Sequence, residues 1–130
     1  MQVVAPTPSG QLLPFELKLL EAAATTLSSS DVALFSKQVA CINKVQRLLD
    51  WKEIEFYRMR WFRARWPEEV LFADKSEIRI ATIQCEFGSK KTSVDVWAVG
   101  GHIFSLESPV GFSGLSISGP LTVGEVRAGT

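Results

Sequence analysis

Val94-Asp-Val-Trp-Ala-Val-Gly-Gly-His-Ile-Phe-Ser-Leu-Glu107 is the stretch on which the fold turns. Two runs rich in β-branched and aromatic residues flank Gly100 and Gly101. Glycine reaches positive φ at no steric cost, so a Gly-Gly pair between such runs predicts a two-residue hairpin turn. That turn sets Val99 opposite His102, Trp97 opposite Phe104 and Asp95 opposite Leu106. One face then carries Trp97, Val99, Phe104 and Leu106. The other carries Val94, Val96, Ala98 and Ile103. Both faces are apolar, whereas a sheet with one wet face alternates apolar and polar residues. A second apolar face needs a cover: the C-terminal tail, residues 66–76, a second subunit or a partner. A three-residue loop with a bulge would slip the register by one and move Phe104 and Leu106 beside Val94, Val96 and Ala98. The Gly-Gly pair favours the two-residue turn.

Upstream of this hairpin, Glu77 to Phe87 reads as another strand, joined to it by a turn at Gly88–Lys91. Residues 77–107 are thus a three-strand meander. Lys52 to Trp61 reads as one further strand. Its alternation places Ile54, Phe56, Arg58 and Arg60 on one face and Glu55, Tyr57, Met59 and Trp61 on the other. Trp66-Pro67 ends that pattern, and a loop follows to Ser76.

Nearer the N-terminus the period is helical. Pro14 suits a first helical turn, and Glu16 complements the positive end of the helix dipole. Phe15, Leu19, Ala22, Ala23 and Leu27 follow at helical spacing, and the Thr- and Ser-rich residues 25–30 end the helix near 27. Ser30 or Asp31 then caps a second helix. Its stripe of Phe35, Val39, Ile42, Val45 and Leu49 predicts a helix to about Asp50. The short connection makes the pair an antiparallel helical hairpin.

A helical hairpin packed on an antiparallel sheet of about four strands is a two-layer α+β domain. Residues 1–12 read as a flexible lead-in and 13–108 as the domain. Residues 109–130 read as a Gly- and Ser-rich tail, with Leu115–Ser118 and Leu121–Val126 as candidate short strands. In layout the chain resembles small folds in which a curved sheet wraps around helices, such as cystatin-like and NTF2-like domains. That likeness is one of architecture and implies no activity.

The 130 residues include 14 basic and 14 acidic side chains, 46% hydrophobic residues and 22% charged ones, the balance of a globular domain rather than a disordered chain. Zero net charge gives no long-range steering toward nucleic acid or an anionic membrane. Two cysteines and one histidine cannot furnish a four-ligand structural zinc site. No metal, cofactor, secretory signal or membrane-spanning run is expected. Cys41 and Cys85, flanked by apolar residues, suit reduced thiols in a cytoplasmic protein.

The least ordinary composition lies at 51–66. Lys52, Arg58, Arg60, Arg63 and Arg65 alternate there with Trp51, Phe56, Tyr57, Trp61, Phe62 and Trp66. Such a segment can anchor a protein interface through Tyr57, Arg58, Arg60, Trp61, Arg63 and Arg65, joined by the sheet aromatics Trp97 and Phe104. It can also stack bases and grip phosphates of a single strand. The plainer alternative buries the aromatics and pairs the arginines with Glu53, Glu55, Glu68 and Glu69. His102 and Asp95 are the residues that a small-ligand pocket or minor enzyme would use. No GxSxG elbow, P-loop or dinucleotide fingerprint accompanies them. The leading expectation is a non-catalytic interaction domain of self-associating, adaptor or immunity type.

Overall fold

The computed structural model describes residues 12–48, 50–112 and 121–129. Two helices, α1 (Pro14–Ala24) and α2 (Ser29–Cys41), precede the strands β1 (Lys44–Leu48), β2 (Glu53–Tyr57), β3 (Met59–Arg60) and β4 (Arg63–Ala64). A 3-10 turn at Glu68–Val70 leads to β5 (Ile78–Phe87), β6 (Lys90–Val99), β7 (His102–Glu107) and β8 (Thr122–Ala128). Six strands form one antiparallel sheet in the order β1-β2-β7-β6-β5-β8, and β3 pairs with β4 as a separate ribbon. Both helices pack against the main sheet, so the α+β class holds with six strands rather than four.

Local chemistry explains each helix boundary. At the start of α1 the Glu16 carboxylate accepts from the Leu13 amide at 2.8 Å, satisfying a donor that the helix leaves open. Ser28, rather than Ser30 or Asp31, caps α2: its hydroxyl accepts from the Asp31 amide. The second helix stops at Cys41, nine residues short of the expected Asp50. Ile42 is already extended with ψ 125°. Asn43 then turns its side chain to the backbone of Met59, donating to its carbonyl at 3.0 Å and accepting from its amide at 2.6 Å. An asparagine that bonds distant backbone withdraws from the helix. The next five residues become β1, with Val45 facing the core and Lys44 and Gln46 exposed.

The continuous strand expected from Lys52 to Trp61 is also divided. β2 ends at Tyr57, and the chain turns back on itself through β3 and β4. In the hairpin of β6 and β7 the two-residue turn forms as read, with Gly100 and Gly101 at φ 65° and 90° and Val99 opposite His102. Beyond it the register departs from the expectation. A bulge leaves Phe104 unpaired, so Trp97 faces Ser105, Val96 faces Leu106 and Asp95 faces Glu107. Leu106 thereby moves to the core face, beside Val94, Val96, Ala98 and Ile103, each at most 1% exposed. Phe104 stays on the opposite face with Trp97 and Val99, all half-buried.

One core cluster lies between the helices and the sheet. It runs from Phe15, Leu19, Leu20 and Phe35 to Ile54, Phe56, Ile83 and Leu106. The region read as a tail contributes to it. Phe112 is fully buried with its ring 5.1 Å from Phe15 and 5.6 Å from Phe87, and Leu121 is 4% exposed. The approach to Phe112 requires Gly111, at φ 80°, because a Cβ there would lie 2.5 Å from the Asp50 carbonyl oxygen. The candidate strand Leu121–Val126 appears as β8, two residues longer at its C-terminal end. The candidate strand Leu115–Ser118 and the lead-in through residue 11 lie outside the described residues. Leu12 packs against the core.

Two polar clamps tie the layers together. The fully buried Glu16 accepts two hydrogen bonds of 2.7 Å from the Arg47 guanidinium, which is itself 6% exposed. The fully buried Gln38 amide donates to the carbonyls of Val70 and Gly101 at 2.7 and 3.1 Å and accepts from the Ile103 amide at 2.8 Å. Buried polar groups need partners, and Gln38 supplies them to three backbone groups at the turn end of the sheet.

Candidate interaction surface

The ribbon of β3 and β4 is the least conventional element. Pairing of Arg60 with Arg63 leaves Trp61-Phe62 as a two-residue turn. The first position of such a turn often requires positive φ and is usually glycine. Here it is Trp61, at φ 61°. A bulky aromatic residue in that region is strained by about 1–3 kcal/mol. Neither tip side chain recovers this by burial: Trp61 is 85% exposed and Phe62 96%.

Arg60, Arg63 and Arg65 are exposed around the tip, and Arg58 is half-buried with a long contact of 3.5 Å to the Cys41 carbonyl. Among the described residues, none of these four guanidiniums forms an ion pair with a carboxylate. The anticipated pairing with Glu53, Glu55, Glu68 and Glu69 is therefore not made. Arg58, Arg60 and Arg65 instead line a shallow groove of about 600 Å³ together with Trp66, Pro67, Glu68 and Glu69. Trp66 differs from the tip aromatics. It is 9% exposed and stacks on His102 with ring centroids 4.5 Å apart.

The remaining candidates lie on the sheet face away from the helices. Tyr57 and Phe104 meet edge to face at 6.0 Å, and the Arg79 guanidinium sits 6.0 Å from the Trp97 ring. Tyr57 donates its hydroxyl proton to Glu55. Burial, followed by that carboxylate, pushes the phenol up to about 12. The register places Glu53 opposite Glu107, and Glu107 opposite Asp95. Three carboxylates therefore form one row across β2, β7 and β6, with Glu55 in the next row. Like charges directly opposite each other destabilise a sheet. A hydrogen bond shared with Glu55, then burial and the charges of Glu55 and Glu107, pushes Glu53 up to about 7.

His102 and Asp95 do not meet. Asp95 faces Glu107 while His102 faces Val99, which puts them about four residue steps, or ~13 Å, apart along the hairpin. Asp95 accepts from the Thr82 hydroxyl at 2.7 Å. The His102 Nδ1 lies 3.0 Å from the Ile103 carbonyl oxygen, and burial draws the imidazole below its usual pKa. Neither residue lines the groove beside the hairpin. Among the described residues, no group of His, Cys, Asp and Glu has the arrangement of a metal site.

Comparison with protein families, with curated proteins and with solved structures finds no match to this chain. No helix among the described residues is long and apolar enough to cross a membrane.

The composition of 51–66 pointed to this surface. It did not show that Trp61-Phe62 is a turn rather than strand interior. The signal was available in Arg60 and Arg63, which flank two aromatics at hairpin spacing, but neither tip residue is a usual turn former. Glu53 and Glu55 on one strand, and Asp95 and Glu107 on neighbouring strands, are evident in the sequence as carboxylate pairs; the bulge at Phe104 sets Glu107 directly opposite Asp95 and so joins them in one row.

Proposed function

We propose that this protein is a non-catalytic interaction domain that binds other proteins through the hairpin of β3 and β4. One observation carries the proposal: two large aromatic side chains stand almost fully exposed on a strained turn, among arginines that form no ion pair with a carboxylate among the described residues. Backbone strain at a turn is retained where it holds side chains in a required geometry. Burying each aromatic against a partner would recover about 1.5–3 kcal/mol. Tryptophan and arginine are also the residues most enriched among energetic anchors of protein interfaces. The two free cysteines, one of them buried, support a reducing, cytoplasmic setting.

A photo-crosslinking residue at position 62, with position 90 at the far end of the sheet as control, tests this in cells producing the protein. The expected result is a discrete protein adduct from position 62 and none from position 90. Adducts to nucleic acid alone would favour single-strand binding by the same arginines and aromatics and would refute the proposal. Equal labelling from both positions would refute it as well.

A further inference from the structure

The outer face of the sheet has two ends of opposite character. The Glu53 end carries the row Glu53, Glu107 and Asp95, with Glu55 beside it. At the other end β2 stops at Tyr57, and the arginine hairpin begins immediately beyond it. Glu53 and Tyr57 are separated by four strand residues, about 13 Å. Within one chain the hairpin arginines form no ion pair with the acidic row. Between the two ends lie Tyr57, Phe104 and Trp97, all half-buried and able to lose further water. The whole chain carries no net charge, so two copies approach without overall repulsion.

A surface with one basic end and one acidic end complements itself when a second copy is rotated by half a turn. That is the requirement for a two-fold interface, in which the same patch serves both partners. Resting on the hairpin as the contact element, we infer that its occupant is a second copy of this chain. Each copy lays its Trp61-Phe62 tip and flanking arginines across the acidic row of the other, with Tyr57, Phe104 and Trp97 at the centre. The arrangement places guanidiniums against Glu53 and Glu107, which face each other across β2 and β7, whereas Asp95 at the end of the row already has the Arg79 guanidinium 3.9 Å away. It also withdraws the tip aromatics from water. Arginine on carboxylate, beside aromatic rings, is the pairing that interfaces favour.

The test is analytical ultracentrifugation of the full chain across a dilution series up to about 200 μM, at about 50 mM and about 500 mM salt. Three proteins are compared: the unaltered chain, a Trp61→Ser/Phe62→Ser variant and a Glu53→Gln/Glu107→Gln variant. All the altered side chains are exposed or half-exposed, and circular dichroism checks that both variants fold. The expected result is a dimer that weakens at least about tenfold at high salt and about tenfold or more in each variant. A mixture of the two variants should associate more tightly than either alone, because one of the two reciprocal contacts is then intact. A monomer at every concentration would overturn the self-docking while leaving the crosslinking result at position 62 to decide the hairpin's role. A dimer weakened by the hairpin variant but not by the acidic variant would also overturn it, and would keep the hairpin as a contact element for another surface. A dimer indifferent to both variants would place the interface elsewhere.

Discussion

Replacing Glu16 by glutamine tests whether the ion pair between α1 and β1 holds the two layers together. The carboxylate is fully buried and accepts three hydrogen bonds, two from Arg47 and one from the Leu13 amide. Glutamine can keep the Leu13 bond through its carbonyl oxygen. It cannot match the charge of a guanidinium that is only 6% exposed. Removing one partner of a buried pair costs about 3–5 kcal/mol, because the surviving charge stays out of water. The Arg47 guanidinium also lies 5.2 Å from the Trp51 ring, which offsets part of the loss by about 0.5–2 kcal/mol. The expected destabilisation is therefore about 3 kcal/mol, a large share of the ~5–15 kcal/mol that a domain has in total. With a urea slope of about 1–3 kcal/mol/M, the midpoint should fall by roughly 1–3 M. Equilibrium urea unfolding followed by tryptophan fluorescence and circular dichroism reads this directly. The double replacement Glu16→Leu/Arg47→Met should recover most of the loss, since both charges then leave the interior together. A loss under about 1 kcal/mol for Glu16→Gln, the size expected of an exposed pair, would refute the reasoning. So would a double variant less stable than the single one.

Gln38→Leu should destabilise by about 3 kcal/mol, since it leaves the Val70 and Gly101 carbonyls and the Ile103 amide without their side-chain partner; hydrogen exchange at the Ile103 amide should accelerate with it. Glu53 holds its proton to about pH 7 in the folded chain, so the folded state binds more protons than the unfolded one between pH 4.5 and 7. The associated stability is complete below about pH 4.5 and is lost as pH rises through about 7. On this partly exposed face it amounts to about 1 kcal/mol after screening. Urea midpoints of dilute protein at pH 5 and pH 8 should show that difference, and Glu53→Gln should remove it. Burial pushes the Cys85 thiol up to about 11, whereas Cys41 is half-buried. An aromatic disulfide reagent at neutral pH should therefore label Cys41 first and reach Cys85 only as the chain unfolds, as single serine variants would show.

The sheet and its central hairpin were legible because their signals are local. Gly100-Gly101 dictates the turn, and the alternation of Val94, Val96 and Ala98 dictates the core face. The helix-to-strand switch at Ile42 was not legible for a physical reason. Val45 lies on the helical stripe of Phe35, Val39 and Ile42, and it also falls on the inward face of a strand. Five residues cannot separate a period of 3.6 from a period of 2. What decides is non-local: Asn43 bonding Met59, and Arg47 reaching Glu16 across 31 positions. A register slip carrying Leu106 to the core face was one of the two readings of this hairpin, but its place was not legible: the bulge falls at Phe104 inside the strand, and the two-residue turn is kept. Of the candidate surface, the residue types were evident from 51–66. Their division into an exposed hairpin and a half-buried sheet face depended on where β2 ends. Gln38 escaped notice because a polar residue between Lys37 and Val39 looks like any solvent-facing helix position.

The placement of β8 sets the order in which this molecule can be assembled. Its partner β5 is complete by Phe87, yet β8 begins at Thr122, and the Lys18 ammonium of α1 bonds the Leu121 carbonyl across 103 positions. During synthesis, at about 5–20 residues per second, β5 has left the ribosome seconds before the strand that covers its edge. For that interval the meander of β5, β6 and β7 exposes an open strand edge, and the first helix, though seated on β5 and clamped to β1 through Glu16 and Arg47, lacks its contact with β8. Nascent chains should therefore engage chaperones most in the interval between the completion of β7 and the emergence of β8. Truncations before Thr122 should be taken up by quality control even though both described α-helices and five strands of the main sheet are encoded in them.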